Sequence, residues 1–133
     1  MYADGYSYIT NIDFSAVVIE DMRLRDSDAC PEMDCKFPFC IIMLDVELDI
    51  SLPLEILDPE SFTCILDKGC FDCIACSAEC AYKTKQALEN IYKVLAPGGF
   101  YLNVSFGRPE TRMNYFRELN WSVETIKVPK KST

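Results

Sequence analysis

The sequence predicts an α/β domain with a mostly parallel sheet. Short apolar segments, rich in β-branched and aromatic residues, alternate with segments whose apolar residues recur at helical spacing. Polar breaks, several of them with Gly or Pro, separate these segments. Alternating strands and helices are typical of units in which a crossover helix joins two parallel strands.

The first half of the chain predicts two strands around one helix. Residues 8–13 are predicted as a strand, and Ser15 as the cap of a helix with apolar residues among charged ones. A polar loop follows over residues 26–36, and residues 37–46 form the next buried strand, which ends at Asp45. The acidic connection after it has no pattern that determines its structure.

The second half repeats the alternation. An apolar strand ends sharply at Asp67, Lys68 and Gly69, and Trp121 is predicted to pack in the core. The turn over residues 106–109 is either a connector or a substrate-facing loop. The remaining elements are a helix over 81–95 stopped by Pro97-Gly98-Gly99, a strand over 100–106, a helix over 109–119 opened by Pro109, and a strand over 121–128.

Composition limits the classes of function. The length of 133 residues suggests one domain, residues 1–133, and the net charge of -8 argues against unaided binding to nucleic acid or to an anionic membrane. An acidic surface could attract a basic protein substrate. No secretory signal or long apolar segment is apparent, so we expect a cytoplasmic protein. The absence of histidine excludes a His-based triad and a His-containing zinc site.

Three aspartates lie at the ends of predicted strands. Asp13, Asp45 and Asp67 each fall at a strand end, and in a parallel sheet these ends lie along one edge. A carboxylate there can accept hydrogen bonds from ribose hydroxyls, which favours a nucleoside-containing cofactor. A site for a hard cation is an alternative, and the turn at Asp67 and Lys68 could also be a solvated strand end without function.

The cysteines of the central stretch give a competing signal. Cys70, Cys73, Cys76 and Cys80 have the spacing of a bacterial ferredoxin motif, with Ala81 in place of proline. The other four cysteines do not repeat this spacing, as a second cluster would require. An iron-sulfur or metal site is therefore one interpretation. The other is that these cysteines occupy small apolar positions at a loop and helix start.

In this order, the motifs resemble those of the class I S-adenosylmethionine-dependent methyltransferases, and among them the eukaryotic group that includes elongation factor 1-alpha lysine methyltransferases. The resemblance covers nearly the whole chain. It rests on ITNIDFS at 9–15, LDV at 44–46, ILDKG followed by CFD at 65–72, and VLAPGG at 94–99.

The resemblance implies a role for each matched residue. Asp13 would bind the ribose hydroxyls and Phe14 would lie against the adenine. Asp45 and Val46 would meet the adenine edge, while Asp67 and Lys68 would border the methionine end of S-adenosylmethionine. It further implies methyl transfer to a protein lysine. A catalytically inactive binding or regulatory protein that keeps the fold is the alternative.

Two departures from the family's pattern accompany the resemblance. The family's glycine-rich loop after its first strand would lie before Met1, and the chain ends before the family's usual last strand. The resemblance thus implies a Rossmann-like methyltransferase sheet that lacks its first and last strands. In the family's strand order the first strand is central, between the strands ending at Asp13 and Asp67, so we expect exposed sheet edges.

Overall fold

A computed structural model describes residues 8–29, 42–53, 55–77 and 79–129, in two compact units, Met1–Asp49 and Ile50–Thr133. Each unit contains one pair of parallel strands, which confirms the α/β class. Part of the predicted loop, residues 30–36, and the start of the predicted strand, residues 37–41, lie outside the described residues. The elements are β1 (Tyr8–Asp13), α1 (Ala16–Ala29), β2 (Ile42–Glu47), β3 (Phe62–Lys68), α2 (Cys70–Ala75), α3 (Cys80–Val94), β4 (Leu95–Val104) and α4 (Pro109–Phe116).

The first unit places α1 after a parallel strand, as predicted. β1 pairs with β2 in a register that sets Asp13 opposite Glu47. Strand β2 thus extends two residues beyond Asp45, where the sequence predicted its end. The Ser15 hydroxyl accepts a hydrogen bond from the Val18 N–H at 3.4 Å, which confirms Ser15 as the cap of α1. Helix α1 continues through Ala29 rather than ending at Asp26, because no Gly or Pro interrupts the segment.

The second unit contains β3 and β4 in parallel, with an irregularity at the glycine pair. Phe62 pairs with Leu95 and Cys64 with Phe100, so the Pro97-Gly98-Gly99 turn lies inside β4 and not before it. Gly98 has φ 78°, a left-handed conformation that favours glycine. A Cβ on Gly99 would lie 3.0 Å from the Thr63 carbonyl oxygen, so only glycine permits this close approach of the two strands. The predicted helix stop is confirmed, since α3 ends at Val94.

Three helices contribute to the core on one face of this strand pair. Phe71, Leu88 and Ile91 form its centre. The Trp121 ring stacks on Tyr101 with 6.2 Å between centroids, which confirms its predicted place in the core. Other partly buried residues around this centre are Ile50, Ile65, Ala75, Tyr115, Phe116 and Leu119.

The opposite face of β3 and β4 is apolar and exposed. Leu66 and Leu102 are paired across the strands and are 51% and 50% exposed. Phe100 and Val104 extend the same face at alternate positions of β4, with 59% and 45% exposure. In parallel sheets both faces are ordinarily covered. Here the described residues of the second unit pack closely against only one of the two faces.

The strand predicted over residues 121–128 is wrong. These residues are irregular, and no later strand than β4 occurs in the described part of the chain. The alternating pattern has no neighbouring strand with which to pair, and Ile126 and Val128 are 77% and 85% exposed. Helix α4 begins at Pro109 as predicted but ends at Phe116, three residues early. None of the described helices has the length and hydrophobicity that a membrane span requires.

The acidic connection before β3 is hydrogen-bonded to α3. The Asn90 side chain, which is 5% exposed, donates hydrogen bonds to the Ile50 and Leu52 carbonyls at 2.8 and 2.7 Å. Ser51 between them is buried. The Glu60 N–H also donates to the Lys93 carbonyl, at 3.0 Å. A buried side chain and a backbone hydrogen bond therefore both attach this segment, which contains neither a helix nor a strand among its described residues, to α3.

Candidate functional site

Asp13 ends β1 with part of its carboxylate available. Its Oδ1 accepts a hydrogen bond from the Ser15 N–H at 2.8 Å, and its carbonyl accepts one from the Leu48 N–H at 2.8 Å. No hydrogen bond to Oδ2 comes from the residues that the structure describes. Phe14 follows immediately and is 74% exposed. A polar ligand could therefore reach one carboxylate oxygen beside an open aromatic ring.

Asp45 and Val46 lie on β2, next to β1. Their backbone partners are Asn11 and Ile12, so Asp45 is two residues before the register position of Asp13. The structure thus brings the backbones of two predicted site residues to neighbouring strands of the first unit. Asp67 and Lys68 belong to the second unit, and the meeting of all three aspartates at one edge stays a prediction.

The carboxylate of Asp67, near the end of β3, accepts four hydrogen bonds from its own unit. Its Oδ1 accepts the Cys70 N–H at 2.9 Å, and its Oδ2 accepts the Phe71 N–H at 3.0 Å. The Tyr101 hydroxyl and the Asn103 amide also donate to Oδ2, at 2.7 and 3.1 Å. Asp67 therefore joins the first turn of α2 to the middle of β4.

The geometry around Asp67 follows from the strand pairing. Asp67 and Asn103 are register partners, and the two-residue period of β4 brings Tyr101 to the same face. Burial, together with the nearby Asp67 charge, raises the pKa of Tyr101 well above its ordinary value. The phenol therefore stays protonated and donates to the carboxylate. Lys68, the next residue, is exposed.

A second carboxylate network lies one helical turn further on. Asp72 Oδ1 accepts the Ser105 hydroxyl at 2.6 Å and the Arg112 Nε–H at 3.1 Å, while Oδ2 accepts the Phe106 N–H at 2.7 Å. The Asp72 and Arg112 side chains are only 15% and 19% exposed. Burial opposes ionisation, but these hydrogen bonds and the Arg112 charge outweigh it and lower the pKa of Asp72.

This network fixes the turn that follows β4. The Ser105 hydroxyl accepts the Gly107 N–H at 2.9 Å, so the turn is bonded at both ends. A Cβ on Gly107 would collide with the Arg112 guanidinium. Phe106, held between them, is 90% exposed. The turn is therefore an ordered connector that presents an aromatic ring to solvent, and its predicted contact with a substrate stays a prediction.

The four cysteines of the ferredoxin-like run do not form a ligand set. Cys70, Cys73 and Cys76 are exposed, and Cys80 is partly buried. Among the described residues, no group of three or more Cys, Asp or Glu is arranged to hold a metal ion. The interpretation of small apolar positions is wrong for the three exposed cysteines, of which two lie on α2 and Cys76 is its C-cap.

Sequence reasoning did not single out Tyr101, Asn103, Ser105 and Arg112. Tyr101 and Asn103 share one face of β4, and Ser105, the residue after the strand, continues their alternation, which was visible in FYLNVS. Arg112 lies 40 residues from Asp72, and no local pattern connects the two. The alternation could have predicted a polar row on β4, whereas the ion pair required the fold.

Comparison with known proteins identifies relatives of one kind. The chain is 29% identical over 133 aligned residues to the eEF1A lysine and N-terminal methyltransferase of Bos taurus and 28% identical to that of Homo sapiens. It is 30% identical over 109 residues to the Drosophila melanogaster homolog. No protein-family profile matches the chain. The resemblance to S-adenosylmethionine-dependent methyltransferases that the motifs indicated is thus confirmed.

The aligned region is a small part of each relative. It covers 96% of this chain but 17% of the bovine and human proteins, and 79% of this chain but 14% of the fly protein. The similarity therefore concerns one segment of much longer proteins. It extends through both compact units of this chain.

Proposed function

We propose that this chain contributes to an S-adenosylmethionine-dependent methyltransferase that acts on a protein lysine. The observation that carries the proposal is the similarity to eEF1A methyltransferases along 96% of the chain. The parallel strands and a strand-end carboxylate in the first unit support it. The proposed acceptor is a lysine of eEF1A or of a basic protein, which the net charge of -8 would attract.

The first unit is proposed to bind the nucleoside part of the cofactor. Asp13 keeps one carboxylate oxygen without a bond from the described residues, and two ribose hydroxyls are suitable donors to it. The exposed ring of Phe14 offers a face on which adenine could stack. Asp45 and Val46, on the neighbouring strand, are proposed to meet the adenine edge.

The second unit has a different role in this proposal. Asp67 already accepts hydrogen bonds from Cys70, Phe71, Tyr101 and Asn103, so its carboxylate would shape the site wall rather than bind the cofactor. The exposed Lys68 could pair with the carboxylate of the methionine end. In this proposal both residues border that end, as the resemblance implies.

Methyl transfer depends mainly on how the protein positions the cofactor and the acceptor amine. When bound, S-adenosylmethionine supplies an electrophilic methyl group for in-line attack by the acceptor amine. The amine must be deprotonated and aligned, so the protein contributes orientation and exclusion of water. The ordered turn at Ser105, Phe106 and Gly107 would form one wall for the acceptor side chain, and the Phe106 ring could cover its aliphatic stem.

The proposal includes a larger sheet than the described strands provide. In the methyltransferase order, a first strand lies between β1 and β3 and a last strand follows. Neither is among the strands of the described residues. The two-stranded pairs β1–β2 and β3–β4 support this part of the proposal, because isolated two-stranded sheets are only marginally stable.

Calorimetric titration of the reduced chain with S-adenosylmethionine tests the function. We expect micromolar binding that weakens about 10-fold or more in Asp13→Ala, as the loss of a charged hydrogen bond predicts. Asp21→Ala is the matched control, because it removes the same charge from the exposed surface of α1 in the same unit. Its affinity should equal that of the wild type.

Two results would contradict the proposal. One is a folded chain, by circular dichroism, that binds no cofactor, which would favour the inactive binding protein. The other is binding that Asp13→Ala leaves unchanged, which would remove the proposed nucleoside site. If the cofactor binds, transfer of a labelled methyl group to eEF1A, with lysines located by mass spectrometry, tests the proposed acceptor.

A further inference from the structure

Helix α2 carries a row of thiols that the proposed function does not use. Cys73 and Cys76 are both exposed, and neither is bonded to another cysteine in the structure. They enclose Ile74 and Ala75 in a C-x-x-C sequence. The buried Phe71 and the core residue Ala75 fix the opposite side of this helix. The two thiols therefore face solvent while the backbone that carries them is anchored.

We propose that Cys73 and Cys76 form a reversible intramolecular disulfide in exchange with glutathione disulfide. Residues three apart in a helix differ by about 60° in direction, with Cβ atoms about 5–6 Å apart. A disulfide needs about 3.5–4.5 Å between Cβ atoms. A shift of about 1–2 Å at one residue would therefore close the bond.

The end of α2 provides that freedom at Cys76. Cys76 follows the last helical residue as the C-cap, and its N–H is shared between the Asp72 and Cys73 carbonyls at 3.1 and 3.3 Å. The bond to Cys73 is of the 3₁₀ type, in which side chains three apart approach an eclipsed arrangement. A tighter turn here brings the two sulfur atoms towards each other.

The pair of Cys70 and Cys73 is less suited to a disulfide. Both residues belong to the regular part of α2, and the Cys73 N–H donates to the Gly69 carbonyl at 3.0 Å in an α-type bond. The Cys70 N–H is also held by Asp67 at 2.9 Å. Closing a bond between them would strain the turn that carries the buried Phe71. The geometry therefore favours Cys76 over Cys70 as the partner of Cys73.

The thiol-disulfide exchange takes place in two steps. The thiolate of one cysteine attacks glutathione disulfide, forms a mixed disulfide and releases one glutathione thiolate. The second cysteine then attacks the protein sulfur of that mixed disulfide, forms the Cys73–Cys76 bond and releases the second glutathione. Two cysteine thiols are oxidised to one disulfide, one glutathione disulfide is reduced, and the two protons of the cysteine thiols are taken up by the two glutathione thiolates. The second step is favoured because the attacking thiol is already one helical turn away.

Peptide mapping of the whole chain tests the assignment. The reduced protein is equilibrated in buffers with increasing ratios of oxidised to reduced glutathione, quenched in acid, alkylated with N-ethylmaleimide and digested with trypsin. Cleavage after Lys68 and Lys83 releases residues 69–83. We expect this peptide to lose two hydrogen atoms and two alkylation sites as the ratio rises. Its fragment ions should be absent between Cys73 and Cys76, and a phosphine reductant should restore both thiols.

Matched variants distinguish the pairings. Cys73→Ser and Cys76→Ser should each abolish the internal bond and accumulate a single glutathione adduct instead. Cys70→Ser is the control, because it removes an exposed cysteine from the same helix and should keep the bond. Alanine at the same positions repeats the test if a serine variant does not fold by circular dichroism.

Several results would overturn the assignment. These are a bond that Cys70→Ser abolishes, a bond to Cys80, glutathione adducts without an internal bond, or thiols that remain fully alkylated at the highest ratio. Oxidation that the reductant does not reverse would also overturn it, since sulfinic acid and not a disulfide would then be the product.

Discussion

Asp13 and Asp67 lie at similar places in their strands, but their carboxylates accept different numbers of hydrogen bonds. Each lies at or near the end of a parallel strand, and a helix begins within three residues of it. Asp13 accepts one hydrogen bond at its carboxylate from the described residues, from the Ser15 N–H. Asp67 accepts four, two of them from side chains of β4. The strand-end position predicts where a carboxylate lies, while the neighbouring strand decides whether it is available to a ligand.

Asp72 completes the comparison as an intermediate case. It accepts three hydrogen bonds from the described residues, one of them from the Arg112 guanidinium. If a carboxylate acts mainly as an acceptor for its own chain, its removal should destabilise the fold in proportion to the donors left unpaired. If it acts mainly on a ligand, its removal should leave stability nearly unchanged and reduce binding.

The largest loss of stability is expected for Asp67→Ala. This change removes the acceptor of two N–H groups of α2, the Tyr101 hydroxyl and the Asn103 amide, at a cost of about 3 kcal/mol. Urea unfolding followed by the fluorescence of Trp121, the single tryptophan, measures the effect in the second unit. Tyr101→Phe removes one of the four donors to Asp67 and one acceptor of the Asn103 amide, which keeps its bond to Asp67, and should cost about 1 kcal/mol. Equal losses in the two variants would refute the dependence on donor number.

A smaller loss is expected for Asp72→Asn, about 2 kcal/mol at neutral pH, because one amide oxygen cannot serve three donors. The pKa of Asp72 is lowered in the folded chain, so its contribution is fully present above the ordinary pKa of an unfolded aspartate, about 3.9. The contribution is lost as the pH falls through the lower folded pKa.

The pH dependence of that variant gives a sharper test. The difference in unfolding free energy between wild type and Asp72→Asn should be constant from about pH 8 to about pH 5 and should shrink below about pH 4. Unfolding curves at several pH values measure this difference. A gap that widens in acid would mean that Asp72 is not ionised in the folded chain.

Asp13→Ala should cost about 1 kcal/mol or less, because a single N–H loses its acceptor. Circular dichroism is the suitable probe, since Trp121 belongs to the other unit. A loss as large as that of Asp67→Ala would mean that Asp13 is also a structural acceptor. The contrast between the two aspartates would then fail.

The smallest effect is expected for Ser15→Ala. Its hydroxyl accepts the Val18 N–H at the long distance of 3.4 Å in an exposed turn, so we expect a cost of about 0.5 kcal/mol. The Ser15 N–H, which bonds to Asp13, is unaffected by this change. Cofactor affinity should therefore remain at the wild-type value, and a large decrease would show that the cap itself positions the carboxylate.

The sequence predicted much of the fold because its local patterns were strong. Strand β1 and helices α1, α3 and α4 were expected at or near their observed starts, β3 at its observed end, and Trp121 in the core. The prediction failed where a neighbour decides the outcome. The alternation from Trp121 to Val128 satisfies the strand pattern, but a strand also requires hydrogen bonds to another strand, which that segment does not make in the described residues.

The positions of the site aspartates could be predicted from the sequence, but the hydrogen bonds that they accept could not. The sequence located Asp13 and Asp67 because a turn follows each strand end. It could not predict that Tyr101 and Asn103, 34 and 36 residues later, donate to Asp67, since this depends on the register of β3 and β4. The exposure of the cysteines also depended on the orientation of α2, which the anchoring of Phe71 and Ala75 determines.

The apolar outer face of β3 and β4 has a consequence for handling the protein in the laboratory. Leu66, Phe100, Leu102 and Val104 form a continuous patch of the kind that environment-sensitive dyes bind. In dilute solution the folded chain should therefore enhance dye fluorescence, a signal usually attributed to partly unfolded protein. The same patch should make sedimentation depend on concentration. Mild detergent should abolish the concentration dependence while the circular dichroism spectrum stays unchanged.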